Sequence, residues 1–271
     1  MTRRLSKPER WLAVGALVVA ILLLGGWWLL RQALPPTPDP TWERIQESGK
    51  LLVCTDPSWP PFEFIDERTG RAAGFDVDLA RLLAERLVPG VEAQIVTVGF
   101  DGLYDALLAG RCDIILSALP YEPLRTEDVA YSVAYFNAGL VLVMRQGTTG
   151  VENLADLSGR TVGVEWGFVP PGDSWQRFSF EGLGLRRYDT AEDALRALQA
   201  GEIEVAIVDR ITALAYLRDC RGLQIVGQPI TDINYVIPLR PDSYRLLEEI
   251  NNALLEMRGD GTLERLQERW F

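Results

Sequence analysis

The chain of 271 residues contains no histidine. That absence removes Ser-His-Asp and Cys-His nucleophile systems, His-ligated zinc and imidazole general bases together. Cysteine is scarce as well. Cys54, Cys112 and Cys220 lie far apart, and none belongs to a CxxC pair. They make no zinc or dithiol motif, and an odd number cannot pair fully within one chain. Free thiols are the expectation. Positive charge is in short supply, with 27 Lys and Arg against 38 Asp and Glu and a net charge of −11. Such a chain is unsuited to nucleic acid, whose affinity rests on cations at phosphates. No Gly-rich phosphate loop and no D-x-D-x-D-G loop occurs, so no cofactor and no metal are expected. Apolar residues are plentiful: 48% hydrophobic with 24% charged is a globular composition with room for a sizeable core.

The first forty residues are a separate object. Trp11 to Leu30 is a run of twenty residues without a charge. At 1.5 Å per residue it spans about 30 Å, the thickness of a hydrocarbon core. Arg3, Arg4, Lys7 and Arg10 precede the run and Arg31 follows it. The positive-inside bias therefore puts residues 1–10 in the cytoplasm as a short tail and everything after Arg31 outside. The run reads as an uncleaved transmembrane anchor. The alternative is a cleaved secretory signal, whose apolar region would be about 7–15 residues followed by an A-x-A-like site. Here the run is longer, and Arg31 stands where a small residue is wanted. Residues 31–40 form a linker in which Leu34–Pro40 reads LPPTPDP, a semi-rigid polyproline spacer. Residues 1–31 hold five basic residues and one acidic one. Residues 32–271 thus carry 22 basic against 37 acidic, a balance of −15.

From Thr41 onward, short apolar runs alternate with helical patterns. Strands are predicted at Leu51–Cys54, Ala93–Val98 and Ile114–Leu116, and near Leu140–Met144, Thr161–Val164, Val205–Val208, Leu223–Val226 and Tyr235–Leu239. Phe75 to Leu87 carries an apolar stripe at Phe75, Leu79, Leu82, Leu83 and Leu87, the period of a helix. Further helices are predicted at Asp101–Ala109, Ser174–Glu181, Ala191–Ala200, Ile211–Leu217, Tyr244–Met257 and Leu263–Arg269. Thr190 followed by Asp193 is a helix start, and Gly201 a stop. Alternating strands and helices argue for an α/β fold with mainly parallel sheets.

Several segments, in order, resemble the family 3 extracellular solute-binding proteins, the polar amino-acid receptors of ABC importers. Gly49-Lys50-Leu51-Leu52-Val53 opens the body. Pro61-Phe62-Glu63-Phe64 with Gly74-Phe75-Asp76-Val77-Asp78-Leu79 follows, then Phe100-Asp101-Gly102-Leu103, Asp113-Ile114-Ile115 and Arg125. Asn137-Ala138-Gly139, Asp156 to Val164, Ala206-Ile207-Val208-Asp209, Gly261-Thr262-Leu263 and Trp270-Phe271 complete the series, which covers residues 45–271. The resemblance implies a two-lobed periplasmic-binding-protein-like fold of type II. Lobe 1 would comprise 41–137 plus 235–271 and lobe 2 138–234, with a ligand in the cleft and closure by hinge motion.

By the same resemblance, Arg125 would grip a ligand carboxylate with two parallel bonds. Its alternative is a solvated arginine beside Glu122 and Glu127. Asp209, at the end of an apolar strand, would take the ligand ammonium, and it equally suits the N-cap of the next helix. Trp59 and Phe100 would form aromatic walls, which also attract an ammonium group. Asp56 and Glu165 would meet the ligand side chain and, both being acidic, would favour a cationic one such as arginine or lysine. Ser117 would sit at the rim, and Gly167 would offer a backbone amide. Two features depart from the family pattern. Pro120 stands where Ser or Thr is usual and supplies neither hydroxyl nor N–H. The stretch opening lobe 2 is Trp166-Gly167-Phe168-Val169-Pro170-Pro171 rather than Gly-Thr.

The function this implies is a monomeric extracytoplasmic receptor, tethered through its N-terminal helix, that passes a small polar solute, an amino acid, to an ABC permease without turnover. Two alternatives stand beside it. One is a tethered sensor acting through a partner, since a cytoplasmic tail of ten residues has no room for an output domain. The other is a dehydratase-like enzyme on the same fold, in which Glu165 or Asp56 would serve as general acid.

Overall fold

The structure, a computed structural model, describes residues 39–167 and 184–271. The body folds from Asp39, a buried acid that ties two helices together. Its Oδ1 accepts from the amides of Thr41 and Trp42, which start α1 (Pro40–Ser48). Its Oδ2 accepts from the amides of Arg245 and Leu246, which start a helix two hundred residues later. One carboxylate thus satisfies orphan N–H groups at two helix ends.

Lobe 1 is built on a five-stranded sheet. β1 (Lys50–Thr55) leads to a hairpin of three short strands, β2 (Ser58–Trp59), β3 (Glu63–Asp66) and β4 (Arg71–Ala73). Then come α2 (Phe75–Leu87), β5 (Glu92–Thr97), α3 (Leu103–Leu108), β6 (Ile114–Ile115) and β7 (Ala130–Tyr131). β8 (Phe136–Asn137) carries the chain out of the lobe. Lobe 2 holds β9 (Leu140–Arg145), β10 (Thr161–Glu165), β11 (Gly184–Tyr188), α4 (Ala191–Ala200), β12 (Val205–Asp209), α5 (Arg210–Asp219) and β13 (Leu223–Val226). β14 (Asn234–Tyr235) pairs antiparallel with β8 and returns the chain to lobe 1. There β15 (Pro238–Leu239), α6 (Tyr244–Gly259) and α7 (Thr262–Trp270) finish the fold.

The sheet orders are β5-β1-β6-β15-β7 and β11-β10-β12-β9-β13. In each, three strands are parallel and the other two antiparallel to their neighbours. The expectation of mainly parallel sheets is corrected in that respect. Strands reached by the crossings between lobes enter from the opposite end, so they cannot run parallel to their neighbours. The stretch expected as one strand over Tyr235–Leu239 is two, broken at Val236-Ile237 where the chain passes from the crossing ladder to the sheet edge. The hairpin and α1 had no counterpart in the sequence pattern, and the helix expected at Ser174–Glu181 lies outside the described residues.

Where the pattern was strong, local chemistry accounts for it. Thr190 accepts from the Asp193 amide at 3.1 Å, and Gly201 closes α4 in the left-handed region at φ 82°. The lobe 1 core reaches the crossings through an aromatic cluster. The Phe62 ring lies 5.1 Å from Phe136, 5.3 Å from Tyr235 and 5.1 Å from Phe271, all edge to face. Gly139, at the first crossing, lies so close to the second that a Cβ would fall 1.8 Å from the Thr231 carbonyl oxygen.

The expectation of free thiols is overturned: Cys54 and Cys112 form a disulfide. β1 and β6 run parallel in a register that pairs Cys54 with Ile115, three positions past Cys112. Cys112, however, lies in the turn before β6, and the next amide, of Asp113, donates to Leu52 O at 2.8 Å. That bond holds the turn alongside β1 and brings the two Cα atoms to 5.7 Å. Cys220 remains free. No helix among the described residues is long and apolar enough to cross a membrane. The apolar run at 11–30 lies outside those residues.

Candidate functional site

Two cavities flank the crossings, one on each lobe. The lobe 1 cavity, about 370 Å³, opens between the end of β1 and the hairpin. Asp56, directly after β1, accepts from Ser58 Oγ at 2.9 Å, and its own amide donates to Ser117 Oγ at 3.0 Å. Trp59 on β2 and Phe100 ahead of α3 are both more than half exposed, at 56% and 58%, although each carries a large apolar ring. Exposed aromatics beside a cavity are free to cover a ligand rather than a core. Asp56, Trp59, Phe100 and Ser117, expected from sequence to share a site, line this one cavity.

Glu63 also lines it and was not expected there. Its Oε1 accepts from Ser117 Oγ at 3.1 Å. Behind it stands Asp76, fully buried at the start of α2, whose Oδ2 accepts from the Ala118 amide at 2.7 Å and the Tyr135 hydroxyl at 2.9 Å. Burial, and then the charge of Asp76, push the Glu63 carboxyl far above the usual carboxylate range. Burial also raises Asp76, against the pull of its two donors. Ala118, between the two networks, holds φ at 45°, a left-handed conformation unusual for a residue with a Cβ. The sequence signal for Glu63 was present: an acid between two phenylalanines in Pro61-Phe62-Glu63-Phe64 is either buried with a partner or working.

The lobe 2 cavity, about 830 Å³, is lined by Glu165, Trp166, Gly167, Asp209 and Asp232 among others. Glu165 ends β10, Gly167 lies two residues beyond it, and Asp209 ends β12, the neighbouring strand. Asp209 takes the helix-capping role that its position allowed, and it also faces the cavity. Its Oδ1 caps α5 by accepting from the Thr212 amide at 2.8 Å, while the residue lines the cavity. Asp232, from the second crossing, was not anticipated; only the topology brings it beside Asp209. Phe168 to Pro171 lie outside the described residues.

Arg125 lies elsewhere. It ends a short 3-10 turn, Pro123–Arg125, and lines neither cavity. Its Nε donates to Glu122 Oε2 at 2.8 Å, and its guanidinium stands 4.3 Å over the Tyr104 ring. Pro120 forms an isolated antiparallel bridge with Tyr235, so the departure at that position is built into the crossing. The two cavities together present Asp56, Glu63, Glu165, Asp209 and Asp232. No lysine or arginine lines either of them among the described residues. No cluster of possible metal ligands occurs among those residues. What this arrangement can do is hold a cation between aromatic faces and carboxylates.

Residues 51–271 match the model of bacterial extracellular solute-binding proteins, family 3. The chain is 31% identical to the L-cystine-binding protein TcyJ of Escherichia coli over 230 residues, 84% of this chain and 85% of that protein. It is 30% identical to the arginine-binding extracellular protein ArtP of Bacillus subtilis, over 83% of this chain and 88% of that protein. Among solved structures, an ancestral cyclohexadienyl dehydratase superposes with a TM-score of 0.73 at 25% identity, covering 89% of this chain and 98% of the other.

Proposed function

Because the chain belongs to the family 3 bacterial extracellular solute-binding proteins, we propose that it is a cleft receptor for an amino acid with a cationic side chain, which it hands to an ABC permease. The observation that carries the reading is the sign of the cavities: Asp56, Glu165, Asp209 and Asp232 line them together with the carboxyl of Glu63, and no lysine or arginine does among the described residues. A guanidinium or ammonium group is the complement, and the names of the relatives include an arginine-binding protein. Lobe 1 would be 41–137 plus 235–271 and lobe 2 138–234. Closure about the paired crossings β8 and β14 would bring the two acidic walls onto one ligand and exclude water. Asp209 would then take the α-ammonium, and Asp56 with Trp59 and Phe100 the side chain. Ser117 and Gly167 would hydrogen-bond at the rim, Glu165 would close from lobe 2, and Arg125 would swing from Glu122 to the carboxylate.

The buried Cys54–Cys112 disulfide fits an oxidising compartment outside the cytoplasm. The apolar run at 11–30 would tether the receptor there with residues 1–10 inside, and the body would act as a monomer. The test is a thermal-shift screen of the full chain in detergent against the amino acids, with resident ligand first removed by unfolding and refolding. A ligand at a hundredfold its dissociation constant stabilises by about 2.7 kcal/mol. Arginine or lysine is expected to shift the wild type, and Asp209→Asn to lose the shift. A shift only with acidic or neutral ligands would overturn the reading.

A further inference from the structure

We propose that Glu63 and Asp76 share one proton at the floor of the lobe 1 cavity, and that a cationic ligand group entering the cavity displaces that proton to solvent. The inference rests on the receptor reading above and adds a second ion to it.

The geometry is that of a carboxyl–carboxylate pair. Glu63 is 1% exposed and Asp76 fully buried, and the two carboxyls stand close enough to act on each other. One oxygen of each is satisfied by other donors, Glu63 Oε1 by Ser117 and Asp76 Oδ2 by Ala118 and Tyr135. The other oxygens, Glu63 Oε2 and Asp76 Oδ1, are two of the three buried side-chain polar atoms without a donor or acceptor among the described residues. Two ionised carboxylates repel and cannot hydrogen-bond. One proton between them satisfies both orphan oxygens and halves the buried charge.

The surroundings supply no competing cation. From the end of β1 the pair is approached by Asp56, an anion; from the end of β6 by the Ser117 hydroxyl and the Ala118 amide; from the two crossings by the Tyr135 and Tyr235 phenols. On α2 itself the next acid, Asp78, is turned outward to Arg81, Arg269 and Trp270. No lysine or arginine forms an ion pair or hydrogen bond with Glu63 or Asp76 among the described residues. The proton is therefore the resident counter-ion. Since Glu63 lines the cavity, a ligand cation arriving there is a rival counter-ion, and only one of the two is needed. By linkage, what the cation does to the proton, the proton does to the cation.

The test is isothermal titration calorimetry of the full chain with arginine, and with citrulline as the ligand of the same shape and a neutral side chain. Titrations are run between pH 6 and 8 in buffers of different ionisation enthalpy. The expected result is proton release to the buffer with arginine, with affinity rising as pH rises by up to about tenfold per unit, and no matching release with citrulline. Both ligands share their α-amino and α-carboxyl groups, so the difference isolates the side-chain charge. Glu63→Gln, which keeps the shape and can donate to Asp76, is expected to abolish the release, as is Asp76→Asn. Arginine binding without proton exchange, or exchange that survives both substitutions, would overturn the inference and leave the receptor reading intact. Failure of both ligands to bind would overturn the two together.

Discussion

Arg125 Nε donates to Glu122 Oε2 at 2.8 Å, three residues back on the same turn. The pair is about half exposed on both sides, and the guanidinium also covers the Tyr104 ring. An internal carboxylate thus holds the arginine that the family resemblance assigns to the ligand carboxylate. An exposed pair of this kind is weak enough to exchange.

Glu122 should therefore compete with the ligand. Glu122→Gln is expected to tighten arginine binding by up to about fivefold, the scale of an exposed ion pair. Arg125→Ala is expected to weaken it tenfold or more, the scale of a charge-assisted hydrogen bond. Titration calorimetry on the two variants checks this, and no change with Arg125→Ala would remove Arg125 from the site.

The disulfide closes a loop of 58 residues between β1 and the turn before β6. In the chain-entropy picture that is about 4 kcal/mol of stability. A variant with Cys54→Ala and Cys112→Ala should lower the denaturant midpoint and, because the freed unfolded chain exposes more surface, steepen the slope. An unchanged midpoint would mean that Asp113 and its partners alone hold the turn.

Asp39 serves two helix ends. Its replacement by Ala removes two caps, at about 1 kcal/mol each, so Asp39→Ala should cost about 2 kcal/mol in equilibrium unfolding. Asp39→Asn keeps acceptors on one oxygen only and should cost less. Equal losses for the two variants would contradict the double-capping geometry.

The Glu63–Asp76 pair sets a sign for the pH dependence of stability. The folded state raises both carboxyls above their unfolded values, chiefly by burial. It therefore binds more protons than the unfolded chain from about pH 4.5 upward, and this contribution to stability falls as pH rises. The slope is at most about 1.4 kcal/mol per pH unit for each extra proton. Glu63→Gln should flatten that decline in urea titrations between pH 5 and 8. A variant with the wild-type slope would show that the pair does not titrate there.

Much of this was legible in the sequence because it is local. The stripe from Phe75 to Leu87, the Thr190 cap and the Gly201 stop are properties of neighbouring residues, and α2 and α4 form where they predict. The resemblance places Asp56, Trp59, Phe100 and Ser117 together, and all four line one cavity: Asp56 directly follows β1, a strand the pattern marks, whereas Trp59 lies on β2, which it does not. What was not legible depends on contacts between distant segments. β2–β4 are two to four residues long and carry no periodicity. The disulfide is made by one turn lying along another strand. Glu63 and Asp76 are thirteen positions apart, and only the hairpin's return onto α2 puts one carboxyl behind the other. Arg125 was placed by spacing alone, and spacing does not say which carboxylate an arginine holds.

The central claim is that two acidic walls select a cationic side chain. The most direct test is the ratio of dissociation constants for arginine and citrulline, measured by calorimetry on the full chain at pH 7.5. The two ligands differ in side-chain charge and hardly in shape. Arginine is expected to bind at least tenfold more tightly, with the preference shrinking in Asp56→Asn. Equal affinities, or a preference for citrulline, would contradict the account and assign the carboxylates of the cleft to some other task.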